Sequence, residues 1–124
     1  MIMNNARRKA HKDAEARIFR ILADNPEISQ RALAQEVGIS VGSVHYLLNA
    51  LIEAGYVRFS TASSSKDGRR KGYYLTKRGM AEKIAATTAF LNRKTLEYKA
   101  LKQEIDMLKV EQREQKALVL PLYD

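Results

Sequence analysis

Apolar residues recur at helical spacing through most of the chain and switch to alternation only once. Val44, Leu47, Leu48 and Leu51 stand at i, i+3, i+4 and i+7, which commits one face of a helix to a core. Leu33 and Val37 do the same in the segment before it, with Ile28 and Ile39 sealing its two ends, and Ile18, Ile21 and Leu22, with Phe19 beside them, predict a first helix over residues 13–24. The boundaries are chemically marked. Asn25 and Pro26 end the first helix, because the residue before proline is pushed out of the helical region. Ser29 and Ser40 can cap the second and third helices, and Gly38 and Gly55 can close them in the left-handed conformation. After Gly55 the period falls to two: residues 56–59 and 71–75 read as strands, joined by a polar loop over 60–70 whose turn is Asp67 and Gly68.

Two short helices joined by a glycine-containing turn make a helix-turn-helix, and three helices followed by a hairpin make a winged helix. The last element is longer than that domain needs. Thr76 can cap it, and from residue 77 to about 116 there is no proline and a single glycine, Gly79. A helix of about 40 residues is about 60 Å long, more than a domain of this size covers, so it requires a partner. Ile84, Leu91, Tyr98 and Ile105 fall at heptad position a, and Met80, Leu101 and Leu108 at d. Thr87 and Lys94 weaken the middle of that seam, and Gln112 and Gln115 end it. Glu97, Glu104 and Glu111 at g each precede Lys102, Lys109 and Lys116 at e by five residues, the spacing of a contact between parallel chains. An antiparallel pair would set Glu on Glu and Lys on Lys. The expectation is a mainly α fold with a small β-hairpin wing: a basic N-terminal arm (1–12), a winged helix-turn-helix (13–75), a long coiled-coil helix forming a parallel homodimer (76–117) and a C-terminal tail (118–124).

Charge refines this picture through its placement. The 124 residues carry a formal +8, yet residues 13–54 hold only Arg17, Arg20 and Arg31 against Asp13, Glu15, Asp24, Glu27, Glu36 and Glu53. The basicity sits on both sides: Arg7, Arg8, Lys9 and Lys12 before the helices, and Arg58, Lys66, Arg69, Arg70 and Lys71 after them. Two basic patches flanking a helical core suit phosphate contacts. Other chemistry is poorly represented. Without cysteine there is no disulfide framework, thiolate metal site or cysteine nucleophile. His11 and His45 lie far apart in sequence, and no glycine-rich phosphate loop follows a strand. We therefore expect no catalytic residues, metal or cofactor, and a non-enzymatic protein. No signal peptide or membrane-spanning run is apparent, which makes the cytoplasm the expected compartment.

The third helix is the natural reading element. Opposite its core face it carries Gly42, Tyr46 and Asn49, flanked by Ser43 and His45 and preceded by Ser40; a DNA major groove admits such a helix and offers base edges to it. Gln30 and Arg31 open the second helix, where exposed N–H groups and a cation can hold a phosphate. Lys66, Arg69, Arg70 and Lys71 place the charge of the wing where it approaches the minor groove or backbone. A homodimer seamed by Ile84, Leu91, Tyr98, Leu101, Ile105 and Leu108 would present two such elements to a palindromic operator in double-stranded DNA. The competing reading is a winged-helix interaction module that recruits a protein through its long helix. Basic charge on both flanks of the third helix favours DNA.

The runs NPEISQRALAQEVGIS, HYLLNALIEAGY, YYLTKRGMAEK and FLNRKTLEYKALKQEIDML together resemble the MarR-type winged-helix regulators associated with bacterial exopolysaccharide gene clusters, over about residues 13–111. The resemblance implies a bacterial transcriptional regulator, with exopolysaccharide genes as its candidate targets. It places Ser40, Ser43, His45 and Tyr46 in the recognition helix and Asp67 with Arg69 in the wing. Some MarR relatives sense small phenolic compounds in a pocket between lobes; too little apolar chain lies outside the winged helix and coiled coil to build one here, and the sequence identifies no effector.

Overall fold

A computed structural model describes residues 5–61 and 70–123. The order of elements is α1 (Asn5–Asp24), α2 (Gln30–Val37), α3 (Val41–Glu53), β1 (Val57–Ser60), β2 (Gly72–Leu75) and α4 (Lys77–Tyr123), a winged helix-turn-helix followed by a long C-terminal helix. Two compact units are present, Met1–Phe90 and Leu91–Asp124.

Local chemistry sets the helix ends of the first unit. The Ser29 side chain accepts from the Ala32 N–H at 3.1 Å and that of Ser40 from the Ser43 N–H at 3.0 Å, satisfying donors that a helix start leaves open. Gly38 closes α2 with φ 82°, and its N–H donates to the Ala34 carbonyl at 2.8 Å. A side chain at this conformation would meet its own backbone. Gly55 makes the same turn after α3, with φ 83°.

The periodic residues meet in one core: Ile18, Phe19 and Leu22 of α1, Leu33 and Val37 of α2, Val44, Leu47, Leu48 and Leu51 of α3, and Val57 of β1 are all buried. Ile18, Leu33 and Val44 are 0 % exposed, and each such side chain contributes about 1.5–3 kcal/mol on burial. Phe90 joins this unit from α4, 9 % exposed, with the Arg17 guanidinium 5.1 Å from its ring centre. The heptad pattern does not single it out, because it falls at a g position.

β1 and β2 pair antiparallel with Val57 opposite Leu75 and Phe59 opposite Tyr73. The strands are displaced from expectation: the first starts one residue later, at Val57, since the Tyr56 N–H is still taken by the Leu51 carbonyl at 2.9 Å. The second starts at Gly72, where a Cβ would press on the Pro26 carbonyl. Two further boundaries move. Residues from Asn5 onward are helical, so Arg7, Arg8, Lys9 and Lys12 belong to α1 and not to an arm. The last helix continues through Pro121 to Tyr123, so residues 118–123 of the segment expected as a tail are helical, and Val119 returns to heptad position a beyond Gln112 and Gln115.

α4 is anchored at its start. Thr76 donates its hydroxyl to the Gly55 carbonyl at 2.6 Å and accepts from the Gly79 N–H at 3.0 Å. Gly79 is packed so closely that a Cβ would overlap the Tyr56 carbonyl oxygen. Gly79→Ala should therefore destabilise the domain by at least about 1–3 kcal/mol, as overpacking against backbone does. Urea denaturation checks this; a midpoint equal to that of the wild type would refute the close packing.

Candidate nucleic-acid interface

α3 is divided by burial. Val44, Leu47, Leu48 and Leu51 fill the core, while Gly42, Ser43, His45, Tyr46 and Asn49 are exposed. On the outward side Asn49 and His45, four residues apart, are linked through Nδ2 and Nε2 at 3.1 Å, so they form one polar unit. Tyr46, 65 % exposed, lies on the side toward α1, its ring centre 6.1 Å from that of His11. Ser40 accepts the cap bond and also donates its hydroxyl to Ser43 Oγ at 2.9 Å. Gly42 is not required by packing, because a Cβ there would find only Ser40 Oγ, at 3.9 Å.

The α2 end of the site is tied to the wing. Gln30 Nε2 donates to the Tyr73 hydroxyl at 2.7 Å, and the Tyr73 N–H donates to the Pro26 carbonyl at 2.8 Å. Gln30 thus holds the hairpin against α2, in addition to any group it could offer a phosphate. Lys71 lines the same cleft of about 300 Å³, with Ser29 and Gln30 on the facing side. Arg31, Arg70 and Lys71 are exposed, and the Tyr74 hydroxyl donates to the Arg70 carbonyl at 2.7 Å, which fixes the backbone at the foot of the wing. Lys66, Asp67, Gly68 and Arg69 lie outside the described residues.

His11 is legible in the sequence only as an isolated histidine. The structure brings it, with Arg7, to the edge of α3, where together with Tyr46 they border a groove of about 500 Å³. A signal for it does exist in the sequence: Arg7, His11 and Ala14 follow helical spacing into Ile18, a pattern hidden by reading the first twelve residues as an arm.

In the second unit the seam residues are open in the single chain. Leu91 and Tyr98 are each 64 % exposed, Leu101 57 %, Ile105 41 % and Leu108 55 %. Leu96, Met107 and Val110 are also exposed, off the seam at c and f positions. Within this helix Lys102 pairs with Asp106 at 3.1 Å; such exposed pairs are worth about 0–1 kcal/mol and do not fix the lysine against a better partner. No helix among the described residues is long and apolar enough to cross a membrane.

A family model for winged helix-turn-helix DNA-binding domains matches residues 13–58, and comparison with curated proteins finds no match. Among solved structures the chain is similar to smu.1704 from Streptococcus mutans (TM-score 0.56, 23 % identity, 68 % of this chain and 81 % of that one). It is also similar to ZitR of Lactococcus lactis (0.56, 21 %, covering 86 % and 71 %). A third is the zinc-dependent MarR family transcriptional regulator AdcR in its Zn(II)-bound state (0.51, 23 %, covering 86 % and 72 %). With three helices and a two-stranded wing, a matched DNA-binding segment and a fold shared with a MarR family regulator, this chain is a winged helix-turn-helix protein with a long C-terminal helix.

Proposed function

We propose that the protein is a sequence-specific DNA-binding transcriptional regulator that acts as a homodimer on a palindromic operator, with exopolysaccharide biosynthesis genes as its targets. The division of α3 carries this reading: four apolar residues lock the helix into the core, and away from them His45 and Asn49 stand exposed and linked to each other, with Ser43 exposed separately and bonded to Ser40. A helix so fixed can carry donors and acceptors to major-groove base edges without losing register. Arg31, Arg70 and Lys71 are exposed, and with Lys66 and Arg69 supply the cations that position a protein on phosphates.

The exposed seam from Leu91 supports self-association, since an apolar stripe on a solvated helix is stabilised by a second helix of the same pattern. Parallel pairing follows from the Glu-to-Lys spacing. Regulation of exopolysaccharide genes rests on the sequence resemblance alone. Selection of duplexes from a randomised pool, followed by mapping of bound sites on the genome of the source organism, tests both levels. Enrichment of a two-fold symmetric site is expected, lying upstream of polysaccharide genes. Failure to enrich any duplex over the pool would remove the DNA-binding reading; enrichment with sites elsewhere would remove only the target genes.

A further inference from the structure

The basic N-terminal stretch is a helix lying beside the recognition helix, and the space between the two is shaped. From Asn5 to Lys12, α1 carries Arg7, Arg8, Lys9 and Lys12 and no carboxylate. Arg7, Ala10, His11 and Ala14 share one face and, with Ser40, Ser43 and Tyr46 opposite, line a groove of about 500 Å³ that no acidic side chain among the described residues enters. Its floor is apolar, from Ala10, Ala14, Ile39 and Leu47. Its rim combines a guanidinium, an imidazole and hydroxyls. Ser43 and Tyr46, with the cap residue Ser40, belong both to this groove and to the exposed side of α3 and its start, so the groove opens onto that side.

We infer that this groove seats the sugar–phosphate strand flanking the bases read by α3, which makes α1 a second DNA-contacting helix. Arg7 and His11 donate to phosphate oxygens. The Tyr46 ring, already set beside His11 at 6.1 Å, packs on deoxyribose above the apolar floor. Tyr46 is then a wall of the strand groove, and base reading falls to the His45–Asn49 pair. A polyanionic strand is favoured over a protein segment by the charge at the rim: Arg7 and His11 line the groove and no acidic side chain among the described residues does, while Lys12, outside the lining, pairs with Glu15 at 3.8 Å. The inference rests on the DNA-binding reading and extends it to a helix outside the helix-turn-helix.

The test uses the full-length chain and a duplex that the wild type enriches from a randomised pool. Binding is measured across a salt series for Arg7→Ala, Arg7→Lys and Asn49→Ala, with hydroxyl-radical footprints of each complex and circular dichroism of each free protein. Arg7→Ala should weaken binding to the enriched and to random duplexes alike. It should lower the log–log salt slope by about 0.9 for each phosphate no longer neutralised, and uncover a short backbone patch outside the bases that α3 protects. Arg7→Lys should recover most of the slope, and Asn49→Ala should keep the patch while losing discrimination. An Arg7→Ala complex with unchanged slope and an intact footprint overturns the inference and leaves DNA binding standing. A wild type that enriches no duplex overturns both. Weakening of Arg7→Ala accompanied by loss of helical signal also counts against it, because an exposed arginine that acts on DNA has no reason to support the fold.

Discussion

Leu101→Lys is expected to give monomers that keep the winged-helix fold and bind operator DNA about 10²–10⁴-fold more weakly, because a dimer that engages one half-site holds its second recognition helix near the other and a monomer forfeits that effective concentration. Leu101 is 57 % exposed in the single chain, so the first unit does not depend on it. In a paired seam the same side chain would be buried, and losing it costs about 2–5 kcal/mol per chain, as truncation of a buried leucine does; the ammonium adds a desolvation cost. Analytical ultracentrifugation and binding to the enriched duplex check the two halves. A dimeric Leu101→Lys variant, or a monomer with unchanged operator affinity, would refute the assembly.

The proposed seam also predicts a direction of pairing. A Leu108→Cys variant should cross-link to its own counterpart under mild oxidation, because equivalent d positions face each other only between parallel helices. A cross-link that forms only with cysteine near Ile84 or Leu91 would show antiparallel chains, with packing having overruled the charge pattern of Glu97, Glu104 and Glu111 against Lys102, Lys109 and Lys116.

Asn49→Ala and the double change Arg70→Ala with Lys71→Ala should damage binding in different ways. Asn49, linked to His45 at 3.1 Å on the exposed face of α3, can offer a bidentate pair to a base edge, worth about 1–3 kcal/mol of discrimination. Removing its amide should narrow the gap between operator and random DNA. Arg70 and Lys71 stand at the foot of the wing as solvent-exposed cations. Without them, binding to every sequence should weaken and the salt slope should fall by about 0.9 for each phosphate left unneutralised. Fluorescence anisotropy on both duplexes over a salt series separates the outcomes. Equal weakening on the two duplexes from both sets of changes would show that α3 and the wing do not divide base reading from phosphate binding.

Local chemistry alone is enough to frame the elements of this protein. Ser29, Gly38, Ser40 and Gly55 bound the helices because capping and left-handed turns depend on the residue and its immediate neighbours. The apolar period chose the core face of each element for the same reason, since side-chain direction repeats with the backbone. Pairings between distant residues are settled only in three dimensions. Gln30 and Tyr73, 43 residues apart, meet because the hairpin folds back onto α2, and no local pattern records that. Arg17 covers Phe90 although Phe90 sits off the heptad, and the close packing of Gly79 comes to light only where α4 starts against the Tyr56 carbonyl. The basic first residues gain their meaning in the same way. As a string they are a charged terminus of weak pattern; as turns of α1, continuous with the periodic residues from Ala14 to Leu22, they bring Arg7 and His11 to the groove that Tyr46 borders, because a helix already nucleated and held by its buried face extends at little further cost.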